Sequence, residues 1–246
     1  MFNLLWKEWH EQRWKFAFGC IVLGSLLAIG LRARIMADQT TMLIACATAI
    51  VLLPLLAGVG LLSSERSDGT LETLCALPIR PSRIMAVKAL MGIAVCAGPM
   101  LVLLAVIFLI AGEREMNRWN ILAIIGRAVL AELSLLFWYL AVTARLSGEA
   151  RAGLVAVGVL ICWLLITLGL INFLYGPLSL QGTPLGHRYW QPIYGVSPLA
   201  GVMDIDFQLK YGPPMWFAAM VQLAIASMLW VSTLGALKRT NAGRAD

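Results

Sequence analysis

The stretch SSERSDGTLETLCALPIRPSRIMAVK, residues 63–88, carries seven of the 32 charged side chains (19 basic, 13 acidic) in a chain of 246 residues. Residues 42–62 before it and 89–111 after it are almost wholly apolar. About 20 apolar residues in a helix cross a hydrocarbon core of roughly 30 Å, so both flanks are long enough to span. Working outward, further runs of this kind lie at 14–31, 121–142, 152–174 and 216–237. The chain is 60% hydrophobic and 13% charged, against about 45–50% and 25% in soluble domains. A soluble core could not hide that much apolar surface. Apolar and polar residues do not alternate over ten-residue segments, as a membrane barrel requires. The expected fold class is therefore an all-α integral membrane protein, one domain over 1–246 with six transmembrane helices.

The flanking segments fix the expected topology. Residues 2–13, FNLLWKEWHEQR, place Phe2, Leu5, Trp6 and Trp9 at helical spacing, which predicts an N-terminal amphipathic interfacial helix. Glu8 and Glu11 make this lead-in acidic for a signal peptide, so residues 14–31 read as a retained span. With the N-terminus in the cytosol, the inside segments hold twelve basic residues, from Lys7 and Arg13 through Arg80 and Lys88 to Lys238 and Arg244. The outside segments hold six: Arg32, Arg34, Arg114, Arg118, Arg188 and Lys210. Basic residues favour the cytosolic side, so both termini are expected there, in a multi-pass protein of the plasma (inner) membrane. The net charge of +6 then reads as topology and attraction to anionic membrane lipid. It is scattered along the chain, and a nucleic-acid partner would need it clustered. Cys20, Cys46, Cys96 and Cys162 fall in the runs and Cys75 in the 63–88 stretch, so no external disulfide framework is expected. The external segment 175–215 is long, rich in Pro and Gly, and studded with aromatics from Tyr175 to Tyr211.

Catalytic and metal chemistry find no foothold. The two histidines, His10 and His187, lie on opposite sides of the expected membrane, so a nucleophile triad lacks its base and no metal-ligand spacing occurs. LSGEA at 146–150 resembles the start of an ATPase signature, but no phosphate-binding loop accompanies it. No catalytic, cofactor-binding or metal residue is expected in this chain. One intramembrane polar site is a candidate. Glu132 lies midway along 121–142, where a charge costs about 2.5–3.5 kcal/mol on insertion scales. It reads either as part of a polar transport path or as a hydrogen-bonding residue between helices. Arg127, five residues earlier, is about 140° around the helix and does not face it directly.

Inside the opening stretch, Ser67-Asp68-Gly69 reads as a turn. TLETLCAL then sets Leu71, Leu74 and Cys75 on one side of a two-turn helix, with Thr70 as N-cap and Glu72 complementing the dipole. Pro78 ends it, and Pro81 begins the next helix. On these residues the chain resembles the permeases of type-2 ATP-binding-cassette (ABC) exporters. Their mark after the second span is Glu, Gly-Thr, Glu, Leu, Pro and a basic residue, matched here by Glu65, Gly69, Thr70, Glu72, Leu74, Pro78 and Lys88. The resemblance implies that 63–88 is a coupling loop whose short helix, with Leu71 and Leu74, docks on a separate ABC ATPase subunit. It also implies a second permease copy or homologous permease, with ATP and magnesium on the partner ATPase and none here. The expected function is ATP-driven export by a non-catalytic permease subunit. The alternatives from other classes are an intramembrane enzyme and a non-transporting membrane scaffold.

Overall fold

The computed structural model describes residues 2–33, 38–67, 81–111, 118–146, 149–175 and 215–242. Among them are six helices and no strand. They are α1 (Phe2–Ala33), α2 (Asp38–Ser67), α3 (Pro81–Ala111), α4 (Arg118–Thr143), α5 (Glu149–Tyr175) and α6 (Met215–Ala242). Each of the six apolar runs lies within one of them. α1 to α5 are long and apolar enough to cross a membrane; in α6 the apolar stretch among the described residues, Ala219–Gly235, is shorter. The chain is an all-α integral membrane protein.

Helix length sorts the bundle into two groups. α1, α2 and α3 have 32, 30 and 31 residues, or roughly 45–48 Å at 1.5 Å per residue. That exceeds a hydrocarbon core of about 30 Å. α4, α5 and α6, with 26, 27 and 28 residues, exceed it by less. The surplus in the first three carries the charged residues Lys7, Glu8, Glu65 and Lys88.

Two expectations change in extent. Residues 2–13 are helical, but they form the first three turns of α1 and no break separates them from the span. The helices on either side take in part of the stretch 63–88. α2 runs on to Ser67, where the Ser67-Asp68-Gly69 turn signal begins, and α3 starts at Pro81. Proline suits a first helical turn, where its missing N–H would have no partner anyway. Residues 68–80, which include Gly69, Thr70, Leu71, Glu72, Leu74 and Pro78, lie outside the described residues, as do 176–214 of the external segment.

α4 and α2 form the centre, packed more extensively than any other pair, with α1 and α3 beside them. Small residues permit this approach. A Cβ on Gly58 of α2 would lie 2.6 Å from Cβ of Tyr139 on α4, so the two backbones meet where only glycine fits. Pro54 and Pro99 interrupt α2 and α3 without ending them, which a bundle tolerates when neighbours repair the freed backbone groups. α5 and α6 expose much of their apolar surface, including Leu154, Leu165, Met228 and Val231, as helices bordering lipid do.

Candidate functional site

The start of α1, the end of α2 and the start of α3 meet at one end of the bundle, and charge joins them. On α1, Glu8 and Gln12 are one turn apart and both buried, while Trp6 and His10 are exposed. The polar side of this amphipathic segment thus faces protein. On α2, Glu65 follows Leu61 by one turn and is also buried. On α3, Lys88 lies two turns in from Pro81 and is 1% exposed.

Lys88 is the hub. Its Nζ donates to Glu8 Oε1 at 2.8 Å and to the Leu61 carbonyl at 3.1 Å, and lies 2.7 Å from Glu65 Oε2. An ammonium has three protons to donate, and three oxygens from two helices surround it. Lys7 extends the set outward, 3.2 Å from Glu65 Oε1 and 3.5 Å from Glu11. The carboxylates of Glu8, Glu11 and Glu65 each bring an oxygen within 4.8 Å of the others. Such a crowd of acids repels itself, and two lysine ammoniums hold it together. Removing one partner from a buried ion pair costs about 3–5 kcal/mol, because the charge left behind stays buried. The arrangement is a clamp: α1 cannot leave α2 and α3 without stranding Lys88 or Glu8. Glu8 Oε2 and Gln12 Oε1 are buried acceptors that take no hydrogen bond among the described residues.

Glu65 and Lys88 lie on α2 and α3, at the two ends of the coupling-loop pattern. They are helical, buried and paired inside the chain, each one or two turns from the ends of segment 68–80. Glu8, Lys7, Glu11 and Gln12 were not singled out from the sequence. The available signal was the one-turn spacing of Glu8 and Gln12 opposite the tryptophans, beside a span that would not tolerate them unpaired.

A family model described as ABC-2 family transporter protein matches residues 7–234. The chain belongs to that family. The comparison with curated proteins returned no match. As an ABC-2 permease it is a transport component, and the match takes in the whole clamp, the first five apolar runs and most of the sixth.

The second candidate lies deep in the permease. Glu132, in the middle of α4, is 0% exposed. Neither of its oxygens has a hydrogen-bond partner among the described residues, so the expected role of joining helices by a hydrogen bond has no support here. Arg127 is 8% exposed and covered by protein, and no hydrogen bond joins it to Glu132. The polar link between helices comes from Ser134, whose hydroxyl donates to Gln222 Oε1 of α6 at 2.7 Å.

Proposed function

We propose that this ABC-2 permease is the non-catalytic, membrane-spanning subunit of an ATP-driven exporter, assembled from two permease copies and a separate ABC ATPase. Family membership supports transport. The observation that carries the motor reading is the clamp itself. Segment 68–80 is strung between Glu65 and Lys88, which are bonded to each other and to α1. A force applied to that segment reaches three helices at once and cannot be absorbed by bending one of them. The twelve-to-six distribution of basic residues supports placing the clamp and both termini in the cytosol. ATP and magnesium then belong to the ATPase, whose closure moves segment 68–80. Leu71 and Leu74 supply its apolar docking face, each worth about 1.5–3 kcal/mol if fully buried, and Glu72 sets its orientation. Gly69, Thr70 and Pro78 complete the coupling pattern in the sequence. Glu132 is the polar point of the moving path.

The test is co-purification. The tagged chain should bring down an ATPase from its native membrane, and Leu74→Asp should reduce that capture at least tenfold, against an Ala76→Ser control. Tenfold corresponds to about 1.4 kcal/mol, less than one buried leucine is worth. Undiminished capture by Leu74→Asp overturns the docking face, and absence of any ATPase from the wild-type preparation overturns the motor.

A further inference from the structure

The two buried carboxylates of the clamp are not served alike. Glu65 has an ammonium beside each oxygen: Lys7 lies 3.2 Å from Oε1 and Lys88 2.7 Å from Oε2. Glu8 has only Lys88, which donates to its Oε1 at 2.8 Å. Its Oε2 is a buried atom that takes no hydrogen bond among the described residues. Gln12, one turn further along the same side of α1, is buried too, and its Oε1 is in the same condition. Residues four apart on a helix are neighbours, with Cβ atoms about 5–6 Å apart. A carboxylate oxygen and an amide carbonyl both accept and neither donates, so two adjacent turns of α1 bury two acceptors that lack a proton between them. The charges point the same way. Glu8, Glu65 and Lys88 are buried, whereas Lys7 and Glu11 stand half-exposed at the rim. Two buried acids therefore face one buried ammonium. The charged groups that face Glu8 are Lys88 from α3, Glu65 from α2 and Glu11 from its own helix.

We propose that Glu8 is a proton-binding site of the clamp: Oε2 carries the proton and donates it to Gln12 Oε1, while Oε1 goes on accepting from Lys88. Carboxylates that share a site cannot all ionise freely, and one of them holds a proton. Elimination picks Glu8. Glu65 has both oxygens on ammoniums, and Glu11 keeps its charge in contact with water. A single proton on Glu8 fills both orphan acceptors and leaves Lys88 to balance Glu65. Without it, a second buried carboxylate competes for the same ammonium, and the joint between α1 and the other two helices weakens. The sign follows. An acid that holds its proton more tightly folded than unfolded adds stability at low pH, and that stability is lost as the pH rises through its folded titration. The clamp is thus firm at acid pH and loosens as the pH rises.

Infrared spectra of the full chain in phosphatidylcholine bilayers report the carbonyl stretch of an un-ionised carboxylic acid. The difference between the wild type and Glu8→Gln should contain this band at mildly acid pH and lose it reversibly as the pH is raised. Gln12→Leu removes the acceptor and should move that loss down by about one pH unit, a tenfold weaker hold on the proton. In detergent, the unfolding constant of the wild type relative to Glu8→Gln should rise about tenfold per pH unit, as long as the folded chain keeps a proton that the unfolded chain has released. No band in the difference spectrum means that Glu8 stays ionised beside Lys88, which overturns the site. An upward move in Gln12→Leu also overturns it, because the amide N–H would then have been donating to an ionised Glu8. Parallel pH–stability curves for the wild type and Glu8→Gln overturn the link between the proton and the joint. Should Glu8→Gln not fold, the wild type against Gln12→Leu still decides, and band loss at the same pH in both overturns the site.

Discussion

Lys88 and Glu132 are both ionisable, both essentially inaccessible, and both carried on helices of the central bundle, yet one is surrounded by partners and the other has none among the described residues. Lys88 contacts two carboxylates and a carbonyl from two other helices. Glu132 offers two oxygens that accept no hydrogen bond among the described residues. Burying a charge is costly unless it is paired and hydrogen-bonded. The clamp meets that cost with local geometry, which is how a structural joint is built. Glu132 does not meet it among the described residues. The contrast separates a residue paired across three helices from one that is buried without a hydrogen-bond partner among the described residues.

The sharpest way to break the comparison is at the hub. Lys88→Met keeps most of the side-chain volume, leaves Glu8 buried without its ammonium and leaves Glu65 with Lys7. The expected loss is about 3–5 kcal/mol of stability, measured as thermal unfolding of the detergent-purified chain. Replacing the whole set, with Glu8→Leu, Glu65→Leu and Lys88→Met together, should recover most of that loss, because apolar groups of similar volume do as well as a buried ion pair. Transport should stay impaired in the triple variant if the charges also carry motion. A single variant within about 1 kcal/mol of wild type would mean that the clamp does not join the three helices in the membrane.

Glu132→Leu runs the opposite way. It removes a polar group with no partner, so stability should rise by about 1–3 kcal/mol, while transport falls. A drop in stability would show that the carboxyl has a partner in the membrane, and the contrast with Lys88 would disappear. Unchanged transport would remove Glu132 from the moving path.

How much of this was legible in the sequence follows from the range of the forces involved. The apolar runs are local features of composition, and each lies inside one helix. The turn signal at Ser67-Asp68-Gly69 and the proline at Pro81 are local too, and the helices stop and start there. The pairing of Glu65 and Lys88 with α1 was not legible, because a charged residue beside a span does not show its partner in its own sequence neighbourhood. One partner of Lys88, Glu8, is 80 residues away on α1, and no periodicity encodes a pairing at that distance. Glu132 was conspicuous because a lone acid in an apolar run is costly wherever it points. Which groups surround it depends on packing, and the sequence held no account of that. Ser134 and Gln222, 88 residues apart and joined by a hydrogen bond, went unnoticed because uncharged polar residues are unremarkable in a membrane helix.

The smallest expected effect sharpens the comparison within the clamp. Lys7 and Glu11 are 42% and 46% exposed, whereas Lys88 and Glu8 are each 1% exposed. Lys7 therefore interacts through water and counterions as well as through protein, and an exposed pair contributes about 0–1 kcal/mol. It does have one buried neighbour, Glu65, at 3.2 Å, which places it toward the upper part of that range. Lys7→Gln keeps a donor near Glu65 and removes only the charge. It should lower stability by about 0.5–1 kcal/mol at low salt, and the difference from wild type should shrink as ionic strength rises toward 1 M, where the screening length is about 3 Å. The Lys88→Met deficit should barely respond to salt, since its charges lie behind protein. Thermal unfolding of both variants across a salt series decides the matter. Equal salt sensitivity in the two would mean that water reaches Lys88, and the clamp would then be an ordinary surface cluster.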